Sequence, residues 1–397
     1  MDLSFGPEYE AYRAEVREFT AEWSAHAPLS HERAAEFRDR ATERGYLYRG
    51  IPKRYGGSER EFDAFREAIV AEEFDASGLP WRLGAQGVGM IVPTLLEIGE
   101  EWQREKFIPG TLRGDYVWCQ GYSEPGAGSD LASLRSSARL EGDEWVINGH
   151  KIWTSDAQDS NYMFGMFRTE PDAPKHAGIS YLLLEVDQPG LEIRPLRQID
   201  GAVHFNEVFF DDVRTPADWI VGKRGQGWQV ARVNLKYERN LGGGSMMRRH
   251  FNGLLELARR SEIDGRPAIQ DPVTRRRLAE LEGYVRCVET TYMRQLSATA
   301  NGEEQKVSLP ILMNKLYGTD TREKIARLGY DLVGSDGLRA PAEEDLKIQS
   351  NTETVTGWVD QYLFSLAGPI AAGSSNIQRN IIGERGLGLP RDLRSPS

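Results

Sequence analysis

Two short segments of the chain combine glycines, hydroxyls and an aromatic ring in a pattern that suits ligand binding. The first, Gly121–Asp130, reads GYSEPGAGSD, and the second, Asn148–Ser155, reads NGHKIWTS. Glycine permits a sharp bend or a close approach of a ligand to the backbone. Serine hydroxyls can donate to carbonyl or ring-nitrogen acceptors, and Trp153 offers a flat face. Together these residues predict a site for a planar, hydrogen-bonding cofactor.

The local structure around the two segments can be read from the same residues. The first segment lacks the G-x-G-x-x-G spacing and no helical pattern follows it, which argues against a Rossmann phosphate turn. The second segment predicts a β-hairpin that starts at Glu144 and turns at Asn148-Gly149, because apolar and aromatic residues flank this pair. An ordinary hairpin preceded by a loop, without any ligand, also fits either segment taken separately.

Composition limits the classes of protein that the chain can belong to. Its 397 residues are 40% hydrophobic and 27% charged, which is typical of a soluble globular protein with two or three packed units. No apolar run reaches the roughly 18 residues of a membrane span, and the first residues lack a signal-peptide pattern. We therefore expect a cytoplasmic protein without membrane association. The net charge of −11 argues against nucleic-acid binding, the two cysteines predict no disulfide framework, and no metal site is predicted.

Periodicity predicts three regions in the order α, β, α. Near the N-terminus, apolar residues recur at helical spacing and form one stripe, and Pro7 suits the first turn of such a helix. Short apolar runs between proline and glycine breaks, such as Ser180–Val186, predict a β-barrel or sandwich. Helical spacing returns from Gly227 onward and predicts a four-helix bundle. The predicted domains are an N-terminal helical domain over 1–115, a β-barrel domain over 116–226 and a bundle over 227–397. The residues of the first stripe are Tyr9, Tyr12, Val16, Phe19 and Trp23.

The ordered motifs resemble the acyl-CoA dehydrogenase family over nearly the whole chain. Besides the two opening segments they include Phe205–Pro216, a predicted strand entering an Asp-Asp turn, and Gly222–Trp228, which opens the next helix. The resemblance implies the same α–β–α fold, FAD as cofactor, and α,β-dehydrogenation of an acyl-CoA thioester to the trans-2-enoyl-CoA. It also implies an electron-transfer flavoprotein as electron acceptor and assembly into homo- or hetero-oligomers.

The resemblance assigns site residues by matching motifs. Trp153 and Ser155 are expected against the flavin ring, and Ser129 is expected beside the substrate. The backbone N–H of Ala372 is expected to polarise the thioester carbonyl, which requires no side chain. The full set for FAD is Gln120, Tyr122, Ser123, Gly128, Ser129, Trp153, Ser155, Arg260, Ser374 and Asn376, and that for substrate is Ser129, Tyr237, Arg239 and Gly373.

The resemblance also implies which residue is the catalytic base. Many members place a carboxylate directly before a segment that matches Gly373–Arg379, but this chain has Ala372 there, and alanine cannot accept a proton. A smaller branch, as in isovaleryl- and long-chain-type enzymes, carries the glutamate on a bundle helix, and the matching residue is Glu238. The alternative is a surface glutamate paired with Arg239 or with a neighbour one turn away.

Several positions depart from the family pattern. Ser261 and Asp264 replace the arginine and phenylalanine of a segment that usually reaches the flavin pyrophosphate, and Arg260 is a substitute displaced by one residue. The three glycines Gly242–Gly244 predict either a groove for a bulky acyl chain or a helix break.

Two alternative functions stay open, and the altered pyrophosphate segment favours the first of them. One is a companion subunit that completes the flavin site of a partner in a heteromeric dehydrogenase. The other is a flavin oxidase or monooxygenase on the same fold. A carrier-protein thioester is also an open alternative to CoA.

Overall fold

The computed structural model describes residues 6–238, 244–303, 308–342 and 352–390, and the order of its elements is helices, strands, helices. This confirms the predicted α–β–α order. A π-helical turn, Gly87–Ile91, precedes the fourth helix. The N-terminal helices are α1 (Pro7–Ser24), α2 (His31–Glu43), α3 (Ala64–Ser77), α4 (Val92–Ile98) and α5 (Glu101–Arg113).

The N-terminal helices are held together by an aromatic core. Helix α1 begins at Pro7 as predicted, and three members of its predicted stripe, Tyr12, Val16 and Phe19, are buried. The Phe19 ring stacks on Phe37 of α2 at a centroid distance of 5.6 Å and on Phe74 of α3 at 6.1 Å. Stacked pairs of this kind add about 1 kcal/mol each beyond the area that they bury.

The central strands form one curled seven-stranded sheet. They are β1 (Trp118–Gly121), β2 (Ser137–Glu141), β3 (Glu144–Ser155), β4 (Tyr162–Arg168), β5 (Ile179–Glu185), β6 (Leu191–Leu196) and β7 (Phe205–Pro216). The order in the sheet is β1-β4-β2-β3-β7-β6, and β5 pairs with β4. Strands β1 and β4 run parallel, whereas the β2–β3, β3–β7, β6–β7 and β4–β5 pairs are antiparallel.

Both faces of the sheet are covered at its β4–β5 end. Phe164 and Leu183 belong to a core cluster with residues of α4, α5 and the helix that follows the sheet, whereas Phe167 and Leu182 belong to a cluster on the opposite face. A strand that is buried on both sides has no polar positions to alternate. This explains why the sequence of β5 is almost continuously apolar.

The helix after the sheet is α6 (Gly227–Glu238), and the remaining helices pack around their own core. Phe251, Leu254, Leu278, Ile325 and Trp358 are all buried there, which confirms the predicted helical spacing. Of the three glycines, Gly244 begins the next helix, and the other two lie outside the described residues. These helices are α7 (Gly244–Arg260), α8 (Pro272–Ala300), α9 (Ser308–Val333), α10 (Val355–Ser365) and α11 (Ser375–Ile381), with a short hairpin of β8 (Glu262–Ile263) and β9 (Arg266–Pro267) after α7.

The chain divides into two compact units. One contains the N-terminal helices, the sheet and α6, and the other contains α7 to α11 together with the loop Ile199–Ala202. The predicted domain boundaries at 115/116 and 226/227 stay predictions. Within the described residues, no helix combines the length and apolarity needed to cross a bilayer. Both cysteines are free thiols, Cys119 buried and Cys287 exposed.

The predicted turn at Asn148-Gly149 is wrong. Strand β3 continues through this pair, and the chain reverses earlier, between Glu141 and Glu144. The predicted Asp-Asp turn in β7 is wrong for the same reason, because Asp211-Asp212 lies within that strand. The two pairs instead form a β-bulge, where the Asn148 amide donates to Asp212 Oδ1 at 2.8 Å and its Oδ1 accepts from Asp212 N at 3.1 Å. The local sequence has turn chemistry, but cross-strand pairing uses it for a bulge.

Gly149 is required by a close approach rather than by a turn. A Cβ at this position would lie 2.3 Å from Ser136 Oγ and 2.6 Å from Ser136 Cα. We expect Gly149→Ala to lower the free energy of unfolding by about 2 kcal/mol, because overpacking forces backbone shifts.

The matched control is Gly283→Ala on the exposed face of α8, where nothing lies within 4 Å of the added Cβ. It is expected to raise the free energy of unfolding by about 1 kcal/mol through helix propensity. Thermal midpoints of both variants test this difference, and an unchanged midpoint for Gly149→Ala would contradict the requirement for glycine at this position.

Candidate active site

The glycine turn after β1 is a tight reversal that leaves its glycines open. Glu124 and Ala127 exchange backbone hydrogen bonds, each with an N–O distance of 3.0 Å, across Pro125-Gly126. A Cβ at Gly126 or at Gly128 would meet no atom within 4 Å. Gly128 and the predicted substrate residue Ser129 are both exposed. The turn therefore presents small residues and accessible backbone on its outer side.

A buried ion pair fixes this turn to the sheet. Lys151 of β3 is fully buried, and its Nζ lies 2.8 Å from Glu124 Oε1 and donates to the Tyr122 carbonyl at 3.1 Å. The Glu124 carboxylate also accepts from the backbone N–H of Arg135 at 2.6 Å and of Ser136 at 2.9 Å. One carboxylate thus joins the turn, the segment before β2, and β3.

The two charges shift each other's titration. Burial by itself would raise the pKa of the Glu124 carboxyl, but the Lys151 charge and the hydrogen bonds outweigh burial and hold this pKa below its ordinary value. Burial lowers the pKa of the Lys151 ammonium to about 8, against the opposing attraction of Glu124. The pair is therefore ionised at neutral pH, where its two charges satisfy each other inside the protein.

Trp153 stands out from β3 because the strand bulges under it. The pairing of β3 with β7 shifts between Lys151 and Thr154, so two residues of β3 oppose one residue of β7. Trp153 has a φ of 62°, a backbone conformation that residues other than glycine adopt at a cost of about 1–3 kcal/mol. The residue is 57% exposed, and its ring contacts Phe205 edge-on. A strained and exposed aromatic ring in a well-packed strand indicates a ligand surface.

The structure brings the two predicted segments together. The Ser123 carbonyl accepts from the Ile152 N–H at 2.9 Å, which places Ser123 one residue from Trp153 in the adjoining strand. Ser123 and Ser155 are both partly exposed. Gln120 and Thr154 each bury a polar side-chain atom, Nε2 and Oγ1 respectively, that has no partner among the described residues. Unsatisfied buried groups of this kind require an explanation, and a bound polar ligand supplies one.

Tyr122 points its side chain into the protein. Its ring is buried, and its hydroxyl donates to Asn234 Oδ1 of α6 at 2.9 Å. The hydroxyl is thus used by the protein, and only the backbone of Tyr122 lines the turn. Its role in cofactor binding stays a prediction that would have to involve the backbone.

Helix α6 ends at the predicted base. Glu238 is its last residue, and the preceding Tyr237 donates its hydroxyl to Glu97 Oε2 of α4 at 2.7 Å. Burial and then this carboxylate raise the pKa of Tyr237 to about 12. Arg239, which was predicted to contact substrate, lies outside the described residues.

The remaining predicted residues lie in the other compact unit. Ala372 is exposed with a φ of 51°, Gly373 follows with a φ of 84°, and both precede α11. Ser374 caps α11 by accepting from the Ile377 N–H at 3.4 Å, and exposed Asn376 accepts from Arg379 at 3.4 Å. This segment therefore adopts a left-handed turn that leaves the Ala372 side chain in the open.

The departures around Arg260 have a local explanation. Asp264 and Gly265 both have positive φ, 51° and 74°, and form the turn of the β8–β9 hairpin. Asp-Gly is the pair that such a two-residue turn prefers. Arg260 is exposed and donates to the Thr352 carbonyl at 3.1 Å. A turn residue thus replaces the aromatic residue of the family pattern.

Comparison with known proteins identifies the family. Family models for the acyl-CoA dehydrogenase N-terminal, middle and C-terminal domains match residues 6–115, 119–213 and 225–387. The chain belongs to the acyl-CoA dehydrogenase family and is an FAD-dependent flavoprotein oxidoreductase of lipid metabolism.

Individual relatives agree over the full length of the chain. It is 38% identical to the acyl-CoA dehydrogenase IpdE1 of Mycobacterium tuberculosis, covering 97% of this chain and 99% of that protein. Among solved structures, a Tcur3481-Tcur3483 steroid acyl-CoA dehydrogenase is 30% identical with a TM-score of 0.79, over 99% of this chain and 100% of the other. The ChsE4-ChsE5 complex from Mycobacterium tuberculosis is 27% identical with a TM-score of 0.77, over the same shares.

The residues present fit an isoalloxazine ring. The exposed Trp153 offers a flat ring, and two partly exposed serines are close to it in the backbone: Ser123, which is hydrogen-bonded to the adjacent Ile152, and Ser155, two residues after Trp153 along β3. Gly126 and Gly128 leave room beside the turn. These residues would hold the ring, while the predicted contacts of Arg260, Ser374 and Asn376 with FAD stay predictions.

Sequence reasoning missed the internal partners of the turn. Lys151 lies in the middle of β3 and Asn234 lies on the buried face of α6, and neither residue is exposed. A lysine or asparagine at a position predicted to be buried signals a specific partner. That signal was present in the sequence, but the identity of each partner depends on tertiary contacts.

We expect Lys151→Met to lower the free energy of unfolding by about 3–5 kcal/mol and to reduce bound FAD, because Glu124 would keep a buried charge without its counter-ion. The control Lys175→Met removes an exposed lysine that lies 2.5 Å from Asp130. Exposed pairs contribute about 0–1 kcal/mol. Equal losses in the two variants, by thermal unfolding and FAD content, would refute the proposed importance of the pair.

The same carboxylate predicts an acid dependence. The pKa of Glu124 is lower in the folded chain than its ordinary value of 4.5. Its contribution to stability is therefore present above pH 4.5 and is lost as the pH falls through the folded pKa. Glu124→Gln should flatten the fall in thermal midpoint below pH 4.5, and an identical slope in the two proteins would argue against this assignment.

Proposed function

We propose that this chain oxidises an acyl-CoA thioester to the trans-2-enoyl-CoA, with Glu238 as the base that removes the α proton. One observation carries the assignment of the base. Asn234, one helical turn before Glu238, is hydrogen-bonded to Tyr122 of the glycine turn. Residues four apart lie on the same face of a helix, so position 238 lies on the side of α6 that faces this turn.

The chain's own residues supply the other requirements of the reaction. A carboxylate near apolar groups is a stronger base, because desolvation raises its pKa toward neutrality. Trp153 and Ser155 would orient the flavin ring, and Ser129 would contact the thioester. The N–H of Ala372 would polarise the thioester carbonyl and so acidify the α carbon. When bound, FAD supplies the acceptor for the hydride that leaves the β carbon.

The relatives support a bulky acyl group. The structure that is 30% identical is described as a steroid acyl-CoA dehydrogenase, and we infer a polycyclic, steroid-derived acyl thioester as the substrate class. Oxidation of such a thioester should exceed that of a straight-chain thioester at equal concentration. A panel of both kinds with an artificial electron acceptor measures this preference.

A companion role in a mixed oligomer is the second candidate. The names Tcur3481-Tcur3483 and ChsE4-ChsE5 each join two different chains. The Asp264-Gly265 turn stands where the family pattern has a segment for the flavin pyrophosphate. A chain that needs a partner to complete its site would be purified without the visible absorbance of flavin, whereas a self-sufficient enzyme would be yellow.

We expect Glu238→Gln to lower the rate of flavin reduction by substrate at least about 100-fold, because general base catalysis contributes about 10²–10⁴. FAD content should stay unchanged. The control is Glu105→Gln on the exposed side of α5, which should keep the normal rate. Stopped-flow reduction under anaerobic conditions measures both, and a normal rate for Glu238→Gln would exclude it as the base.

A further inference from the structure

A chain of buried hydrogen bonds connects the glycine turn to α6 and to α4. The Tyr122 hydroxyl donates to Asn234 Oδ1 at 2.9 Å, and Asn234 Nδ2 donates to Thr94 Oγ1 at 3.0 Å. The Thr94 hydroxyl in turn donates to the Met90 carbonyl at 2.7 Å. All the donors point in one direction, and bonds in such a series polarise one another.

This chain lies in an otherwise apolar part of the protein. Asn234 and Thr94 have no exposed surface, and Tyr122 is 5% exposed. Leu95, Tyr181 and Val230 belong to the surrounding core cluster. A polar group buried there without a partner would cost about 1–3 kcal/mol. The core therefore favours the arrangement of α6 in which both bonds of Asn234 are made.

The two hydrogen bonds of Asn234 fix the rotation of α6 about its own axis. One residue of rotation turns a helical side chain by about 100°, which would break both bonds of Asn234 at once. Tyr122 immediately follows β1 and its carbonyl is held by Lys151, so the position of the glycine turn is transferred to α6. Glu238 is the last residue of that helix, one turn after Asn234.

We propose that Asn234 is a positioning residue, which with Tyr122 and Thr94 fixes the rotation of α6 and so aims the base at the α carbon. This inference rests on the proposed role of Glu238. Asn234 touches neither cofactor nor substrate in this assignment. It acts on the proton-transfer step through the helix that carries the base.

The test uses paired substitutions at Thr94, because this residue belongs to the hydrogen-bond series but lies on α4 and not on the helix that carries the base. Thr94→Val removes the hydroxyl and keeps the shape, whereas Thr94→Ser keeps the hydroxyl. We expect Thr94→Val and Asn234→Leu to slow anaerobic flavin reduction about 10-fold or more, with unchanged FAD content. Thr94→Ser should reduce flavin at the normal rate. An α-deuterated substrate should give a larger isotope effect in the slow variants, because proton abstraction limits their rate.

A control separates positioning from simple loss of stability. Thr111→Val removes another buried hydroxyl of the same region, one that accepts from Trp118 Nε1 at 2.9 Å and donates to the Phe107 carbonyl at 2.7 Å, neither of which belongs to α6. It should lower the thermal midpoint without changing the isotope effect. If Thr94→Val and Asn234→Leu reduce flavin at the normal rate, or if Thr111→Val slows it equally, the positioning role is overturned.

Glu238→Gln, measured in parallel, distinguishes this failure from failure of the proposed function. A normal rate in Glu238→Gln would overturn the assignment of the base and with it this inference. A slow Glu238→Gln together with a normal Thr94→Val would overturn the positioning role and leave the base in place. In the Glu238→Gln background, adding Asn234→Leu should produce no further loss.

Discussion

The buried ion pair between Lys151 and Glu124 is the interaction on which the candidate site depends. Isolated charges are costly to bury, and this pair is stable inside the protein because each charge has the other and several further hydrogen bonds. The requirement works in both directions. Lys151 needs an anion at that point of the sheet, and the glycine turn is the segment that brings one. A turn of small residues with little apolar surface of its own is thereby given a single position.

Two buried polar connections meet at the same three residues, 122–124, from different sides. The sheet holds them through Lys151, and α6 holds them through Asn234. An apolar core can repack around small displacements, because its contacts are not directional. Hydrogen bonds between buried groups do not tolerate such displacement. The arrangement therefore uses a large apolar core for stability and a few polar contacts to fix the site.

The sequence predicted the fold to a large extent, since helical spacing and apolar runs depend on local residues and burial. The predicted turns at Asn148-Gly149 and Asp211-Asp212 were wrong, because these residues with turn chemistry lie opposite each other in a bulge. That outcome depends on the pairing of two strands distant in sequence. The candidate flavin residues, such as Trp153 and Ser155, came from motifs and stay predictions. Their supports were not predicted, because the partner of Lys151 or Asn234 is set by tertiary contacts.

The bulge under Trp153 separates the direction of this side chain from its identity. The direction in which this position projects is set by the register of β3 against β7, and therefore belongs to the backbone. Its occupant is largely free of the core, since more than half of the residue's surface is exposed. Exchanging one aromatic residue for another there would alter the electronic character of the exposed surface while leaving the scaffold intact. Single substitutions at this position can therefore change the surface of the protein without changing its fold.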